Sequence, residues 1–286
     1  MTGLLITNKY ILSEKFDTLR NGFLNAANAL NIKLDHMNNQ QAYGLLDKNL
    51  MYDFIIFYDK DLKLAKLLEN HGYRLYNDSK SIKICDDKAL TYIEVGDAVK
   101  QPQTIISPFL YYGDVSEDED FISKCERTIS YPMIIKESCG SFGLQVYLVH
   151  DNEEFRKCVK DIGNRSFIVQ EFIESSFGKD IRLQVIGDKV VCAMKRINHA
   201  GDFRANVTNG ATPYAYTPTP KECEMAIRVS GIIKTYFAGV DLLIGKNDEP
   251  IFCEINSNAH LDIISKINDI NVYLKVIQYI MKDAKC

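Results

Sequence analysis

Two carboxylates and an amide stand at spacings that could hold a hard cation: Asp241, Glu254 and Asn256. The apolar runs 240–244 and 250–255 bracket a Gly-Lys-Asn-Asp turn, which predicts two paired strands. Glu254 and Asn256, two apart, leave a strand on one face, and Asp241 lies on its neighbour. Oxygen donors without His or Cys suit Mg2+ ions, or Mn2+ in their place, shared with substrate phosphates. A polar outer face of a hairpin would use the same residues without metal. Ile251, Phe252, Cys253 and Ile255 weigh against that, because carboxylates in apolar surroundings need a cation.

A second constellation is the segment Ser138, Gly140, Ser141, Gly143 between the apolar runs 133–136 and 144–149. Glycines let a backbone approach a polyphosphate so that its N–H groups can cradle it. A tight hairpin turn would use the same glycines structurally, and no G-x-x-x-x-G-K-[ST] stands anywhere in the chain. Cations form the third group. Asp180 and Arg182 share one face of a predicted strand, Arg196 ends the next, and Arg204 and Asn206 lie in the loop beyond. Guanidinium forks match phosphate and carboxylate oxygens, and surface salt bridges are the plain alternative for each.

These groups need elements to position them. Short apolar runs at 4–7 and 53–58 alternate with three- and four-residue periodicity at Phe16, Leu19, Phe23 and Ala27 and at 62–68, with Ser13 as the expected cap of the first helix. A third strand is expected near 73–76. This is an α/β pattern with a Rossmann-like parallel sheet, lacking the G-x-G-x-x-G turn of a dinucleotide site. The middle of the chain reads as helix at 87–99, an extended connector at 101–108, helix at 116–129, a hairpin around the glycine loop, and a helix at 151–162 capped by Asp151. Strands follow at 166–172, 180–186 and 189–196. A small-residue loop spans 198–220, helices are expected at 221–237 and 272–281, and the strand pair at 240–255 lies between them.

The 286 residues carry 34 Lys+Arg against 38 Asp+Glu, a net charge of -4 with no long like-charged block. A protein built to neutralise a nucleic-acid backbone is therefore not expected. No run of about 18 apolar residues suggests a membrane span, and the start lacks a signal-peptide pattern, so a cytoplasmic protein is expected. The eight cysteines include no C-x-x-C pair and read as reduced, small apolar residues.

Seven segments in one order carry a resemblance: Lys136 before the glycine-serine loop, Gln170-Glu-Phe172, Gly178-Lys-Asp-Ile-Arg182, Met194-Lys-Arg196, Gly201-Asp-Phe-Arg-Ala-Asn206, Ala238-Gly-Val-Asp241 and Cys253-Glu-Ile-Asn256. From about Asp87 onward the chain resembles the ATP-grasp superfamily, most closely its RimK-like carboxylate-amine ligases of the alpha-L-glutamate ligase type. The resemblance implies an ATP-grasp fold behind a Rossmann-like domain, divided at 1–84, 85–169 and 170–286. It implies ATP with two Mg2+ ions. Lys136 and, with less of the motif behind it, Lys88 would contact the nucleotide, residues 140–143 would fold over its phosphates, Glu171 and Phe172 would meet adenine, and Asp180 would meet ribose. Arg196, Arg204 and Asn206 would hold the transferred phosphoryl group and the acyl phosphate, and Asp241, Glu254 and Asn256 the metal.

The implied reaction joins a small-molecule or peptide carboxylate to an amino-acid or peptide amine, releasing ADP and phosphate. A binding protein without turnover and an enzyme releasing a phosphorylated product are the competing classes. Self-association is left open. Relatives continue after Glu-Ile-Asn with Ser-Pro-Gly, whereas this chain reads Ser257-Asn-Ala-His-Leu261, which puts the substrate of that segment, and any part played by His260, outside the resemblance.

Overall fold

The computed structural model describes residues 1–11, 14–46, 51–140 and 143–284. Ser13 and Ser141, both named above, and one of the eight cysteines, Cys286, lie outside them. The first lobe contains β1 (Thr2–Thr7), α1 (Glu14–Ala29), β2 (Lys33–Asn38), α2 (Asn39–Tyr43), β3 (Phe54–Tyr58), α3 (Leu62–Asn70), β4 (Leu75–Tyr76), α4 (Ser79–Asp86) and α5 (Lys88–Val95). Its sheet is parallel, in the order β2-β1-β3-β4. The continuous apolar runs of β1 and β3 are buried on both faces, as a parallel sheet covered by helices requires. Leu5, Phe54 and Ile56 face α1, and Leu4, Ile55 and Phe57 face α2 and α3.

The central sheet holds β5 (Thr104–Ile106), β6 (Met133–Glu137), β7 (Val146–Val149) and β8 (Phe167–Glu171) in the antiparallel order β5-β8-β6-β7, and α6 (Glu119–Thr128) and α7 (Asn152–Ile162) accompany it. Met133, Ile135 and Val169 pack under the helices, on Phe121, Phe155 and Val159. Period-2 alternation then turns Ile134, Lys136 and Gln170 to the opposite face.

The third sheet is antiparallel, in the order β11-β10-β9-β12-β13, with β9 (Lys179–Ile186), β10 (Lys189–Ile197), β11 (Thr212–Tyr216), β12 (Phe237–Ile244) and β13 (Pro250–Asn256). Helix α8 (Pro220–Ile233) starts at a capping box of Thr219 and Glu222, with Pro220 in its first turn. Ala226, Val229 and Ile233 cover Ile181, Leu183, Val185, Val240 and Leu242 on one face of the sheet. The intervening residues Asp180, Arg182 and Asp241 are thereby committed to the other face. Ile84 and Val95 join this same core, so α4 and α5 also pack against the third sheet. Helices α9 (Asp262–Asn268) and α10 (Val272–Asp283) close the chain against α1, in a core shared with the first sheet.

Several expectations are corrected. The α8 helix stops at Ile233, where Lys234 turns left-handed (φ 63°), and residue 237 already begins β12. Strands β2 and β11 went unread because Lys-Leu-Asp-His-Met-Asn and Thr-Pro-Tyr-Ala-Tyr show no apolar alternation. Both are edge strands, where polar residues and proline are tolerated. The connector at 101–108 contains β5, and the segments of α2, α4 and α9 had been assigned no element. No helix of the described residues is long and apolar enough to cross a membrane.

Candidate active site

A cavity of about 490 Å³ is lined from all three sheets. The central sheet contributes Lys136 from β6 and Glu171 from the end of β8, followed by Phe172. The third sheet contributes Asp180, Arg196, Asp241, Glu254 and Asn256. Lys88, Gly140, Gly143, Arg204 and Asn206 reach it too, as do Arg182 and His260. Ser138 does not. It is buried with its hydroxyl paired to Ser166 Oγ at 2.9 Å, because its N–H and C=O are taken up by Ser166 and by the start of α5.

The third sheet builds an ion network from register alone. Arg182 on β9 stands opposite Asp241 on β12, and Asp180 opposite Arg196 on β10. Arg182 donates from Nε and Nη2 to both Asp241 oxygens at 2.6 Å. Arg196 donates to both Asp180 oxygens at 2.7 and 2.6 Å, and its Nη2 also reaches Asp241 Oδ2 at 2.8 Å. Burial alone would push the Asp241 carboxyl up, and the two guanidinium groups overcome this and hold it well below the usual range. Asp180, still slightly exposed, is hydrogen-bonded to one guanidinium instead of two, and desolvation raises its carboxyl. Both Asp180 oxygens are thus occupied by Arg196, so the expected ribose ligand sits here as the counter-ion of an arginine.

Glu254 is freer. Its side chain is 31% exposed, 4.0 Å from Arg182 Nη2, and its Oε1 accepts from Asn256 Nδ2 at 3.1 Å. The register between β12 and β13 slips after Asp241, leaving Cys253 without an opposite partner. This bulge lets the consecutive Cys253 and Glu254 both line the cavity. Lys136 Nζ lies 3.8 Å from Cys253 Sγ, whose thiol is pushed up to about 11 by burial against the pull of that lysine. Among the described residues no three His, Cys, Asp or Glu side chains cluster as a ready metal cage. The set that remains, two carboxylates and an amide, fits a hard cation that takes its other oxygens from phosphate, once Asp241 yields an oxygen from its arginines.

The glycine loop is tied to the third lobe. Arg204 Nη1 donates to the Gly143 carbonyl at 2.9 Å while Nε and Nη2 hold Asp202 at 3.0 and 2.7 Å. Gly143 has φ +70°, and a Cβ there would lie 2.6 Å from Asn206 Oδ1. Lys88 donates its backbone N–H to Ser138 O at 2.9 Å, which fixes the start of α5 beside the loop. At the other sheet edge the Glu171 N–H is committed to Gln103 O, and its carboxylate accepts from Gln103 N at 3.3 Å.

Sequence reasoning left Arg182, Cys253, Asp59 and Asn258 out of the site, although all line the cavity. Arg182 was visible as a same-face neighbour of Asp180, but its pairing with Asp241 depends on a register 59 residues apart. Asp59 directly follows a buried parallel strand, the place where such sheets bind ligands.

An ATP-grasp protein is the class that this fold and cavity define. The RimK-like ATP-grasp domain matches residues 85–280. An uncharacterized protein of Mycoplasma pneumoniae, the MG012 homolog, is 34% identical over 82% of this chain and 84% of its own. A probable alpha-L-glutamate ligase of Legionella pneumophila strain Corby is 39% identical over 54% of this chain and 51% of its own. In fold, the D-alanine–D-alanine ligase of Bacillus anthracis superposes with a TM-score of 0.74 at 15% identity, over 99% of this chain and 96% of that one. The chain belongs to the RimK-like ATP-grasp family, which uses ATP and a divalent metal.

Proposed function

We propose that the protein transfers the terminal phosphoryl group of ATP to a substrate carboxylate and then passes the acyl group to an amino-acid or peptide amine, with ADP and phosphate as co-products. A carboxylate resists amines because its leaving group would be oxide, and an acyl phosphate removes that obstacle. The carboxylate oxygen bonds to phosphorus as the bond to the β-phosphate oxygen breaks. The amine lone pair then adds to the acyl carbon, phosphate departs, and the nitrogen loses a proton.

The observation that carries this reading is the convergence on one cavity of Lys136, the glycine loop, two arginines and the Asp241, Glu254, Asn256 set. Lys136 and the loop at Gly140 and Gly143 would receive the phosphates. Arg196 and Arg204 would neutralise the moving phosphoryl group and the oxyanion of the addition step. Asp241, Glu254 and Asn256 would hold two Mg2+ ions, which when bound draw charge from the phosphate oxygens. Asn206 stands beside Gly143, where it would help close the loop over the nucleotide. Two family assignments narrow: Glu171 would offer adenine its carbonyl side rather than its occupied N–H, and Asp180 would act by orienting Arg196.

Products test the reading. With Mg-ATP and a panel of carboxylates, hydroxylamine should trap the acyl phosphate as a hydroxamate with equimolar ADP, and omitting the amine should lower ADP release. AMP and an adenylated acid as products would refute it.

A further inference from the structure

The cavity is also lined by residues that phosphoryl transfer leaves unused, and two of them carry buried acceptor oxygens with no donor among the described residues. Asp59 directly follows β3 at the C-terminal edge of the parallel sheet and is 5% exposed. Its Oδ1 is fully engaged, accepting from Asn8 Nδ2 at 3.1 Å and from the N–H groups of Lys60 and Asp61 at 2.6 and 3.2 Å. Its Oδ2 is buried and accepts nothing among the described residues. Other aspartates that accept from backbone N–H groups at helix starts, such as Asp61, Asp78 and Asp151, keep access to water. Among the described residues Asp59 joins no ion pair, while the adjacent Lys60 is paired with Asp86. Burial raises the Asp59 carboxyl against the pull of its hydrogen bonds.

The second oxygen is Asn258 Oδ1, in the loop after β13 where this chain departs from its relatives. It too is buried without a donor among the described residues, in a residue that lines the cavity. The Tyr58 hydroxyl donates to the Ala259 carbonyl, so the neighbour of Asp59 is clamped to the neighbour of Asn258. A buried acceptor without a donor is costly, and a carboxylate oxygen more so than an amide. Water would supply hydrogens without charge. An ammonium group supplies three donors and the positive charge that this carboxylate lacks.

We propose that Asp59, with Asn258, forms a subsite for the ammonium group of an amino-acid substrate. The inference rests on the ligase reading for its biological sense but not for its test. The ammonium belongs either to the acid that is phosphorylated or to the amine that attacks.

Calorimetric titration in the presence of Mg2+ and the ATP analogue AMP-PNP uses the twenty L-amino acids and their N-acetyl forms as probes. At least one free amino acid should bind, with its N-acetyl form at least tenfold weaker. Asp59→Asn keeps the shape and loses the charge, so it should weaken that amino acid at least tenfold while AMP-PNP affinity stays within twofold. Should Asp59→Asn lose AMP-PNP binding through misfolding, Asn258→Ala decides by the same comparison. No binding by the native chain, equal binding of acetylated forms, or unchanged affinity in the variant overturns the subsite. A tenfold loss of hydroxamate formed from the amino acid assigns the ammonium to the acid, and a loss confined to amine-dependent ADP release assigns it to the attacking amine. Amino-acid binding without ADP release defeats the ligase reading alone, and ADP release with unaltered affinity in Asp59→Asn defeats the subsite alone.

Discussion

Asp241 and Glu254 stand opposite each other across two strands, yet they are not interchangeable carboxylates. Asp241 is 2% exposed and satisfies two arginines, whereas Glu254 is partly solvated and stands 4.0 Å from Arg182 Nη2. Removing one member of a buried pair leaves an uncompensated charge, a loss of about 3–5 kcal/mol. An exposed pair is worth about 1 kcal/mol or less. Asp241→Asn should therefore lose both turnover and stability, while Glu254→Gln should lose turnover with its urea midpoint nearly unchanged. The stability deficit of Asp241→Asn should also depend on pH in a defined direction. The native carboxyl is held below its ordinary value of 3.8, so the unfolded chain binds the proton more tightly. The stabilisation is complete above the unfolded value and is lost as pH falls toward the native one. Urea unfolding of the two chains should differ most from pH 5 to 7, and the difference should shrink progressively as pH falls from about 4 to about 2. A constant difference across that range would show that Asp241 is held by something other than its charge.

At the scale of elements, the strands that carry the site were legible because they alternate: Ile181, Leu183 and Val185 declare one face apolar and leave Asp180 and Arg182 on the other. The Glu254 to Asn256 pairing followed from the same period. The network binding Asp180 and Asp241 was not legible, because it arises from the neighbouring order β10-β9-β12 and its register, which no local pattern encodes. Nor was the bulge at Cys253, since one extra residue in a strand leaves no compositional trace. The glycine loop shows both sides. Its glycines were visible, but only the fold reveals that Gly143 is pinned between Arg204 and Asn206 at a left-handed φ. An alanine there pays a backbone penalty of about 1–2 kcal/mol and meets Asn206 as well. Gly143→Ala should lower the unfolding midpoint by an amount that reflects this penalty and, with the loop displaced, raise KM for ATP roughly tenfold, a shift of about 1.4 kcal/mol. Asn206→Ala in the same chain should relieve the steric part of the midpoint loss but leave the KM raised, because Asn206 is itself placed to close the loop over the nucleotide. Steady-state kinetics and urea unfolding of the two variants decide this.

For the whole molecule, the cores argue for two folding units where the sequence suggested three segments. Leu5, Phe23 and Phe54 of the first lobe share one core with Phe237, Leu261, Val276 and Ile277 near the end of the chain. Asn77 reinforces that union: wholly buried, it donates to the carbonyls of Phe237 and Ser257 at 2.9 and 3.2 Å and accepts from the Tyr236 N–H at 2.7 Å. Residues 1–84 therefore cannot lose their fold without exposing the C-terminal helices. The central sheet has its own core, from Ile105 to Val169, and its polar links to the rest include Lys136 with Cys253 and Gly143 with Arg204. Units with separate cores open separately. Native-state hydrogen exchange should show β1, β3 and α10 protected to one common free energy, and β6, β8 and α7 to a second, lower one. Mg-ATP lies, on the proposed reading, between the two units and binds only when they are both folded. At a hundredfold excess over Kd it stabilises the bound state by about 2.7 kcal/mol, and opening of the central unit should rise by that amount. Lys136→Ala should cut this rise while leaving the two free energies of the nucleotide-free protein in place. If β1 and α10 exchange with different free energies, or if the central strands already exchange with β1 before nucleotide is added, the division into two units is wrong.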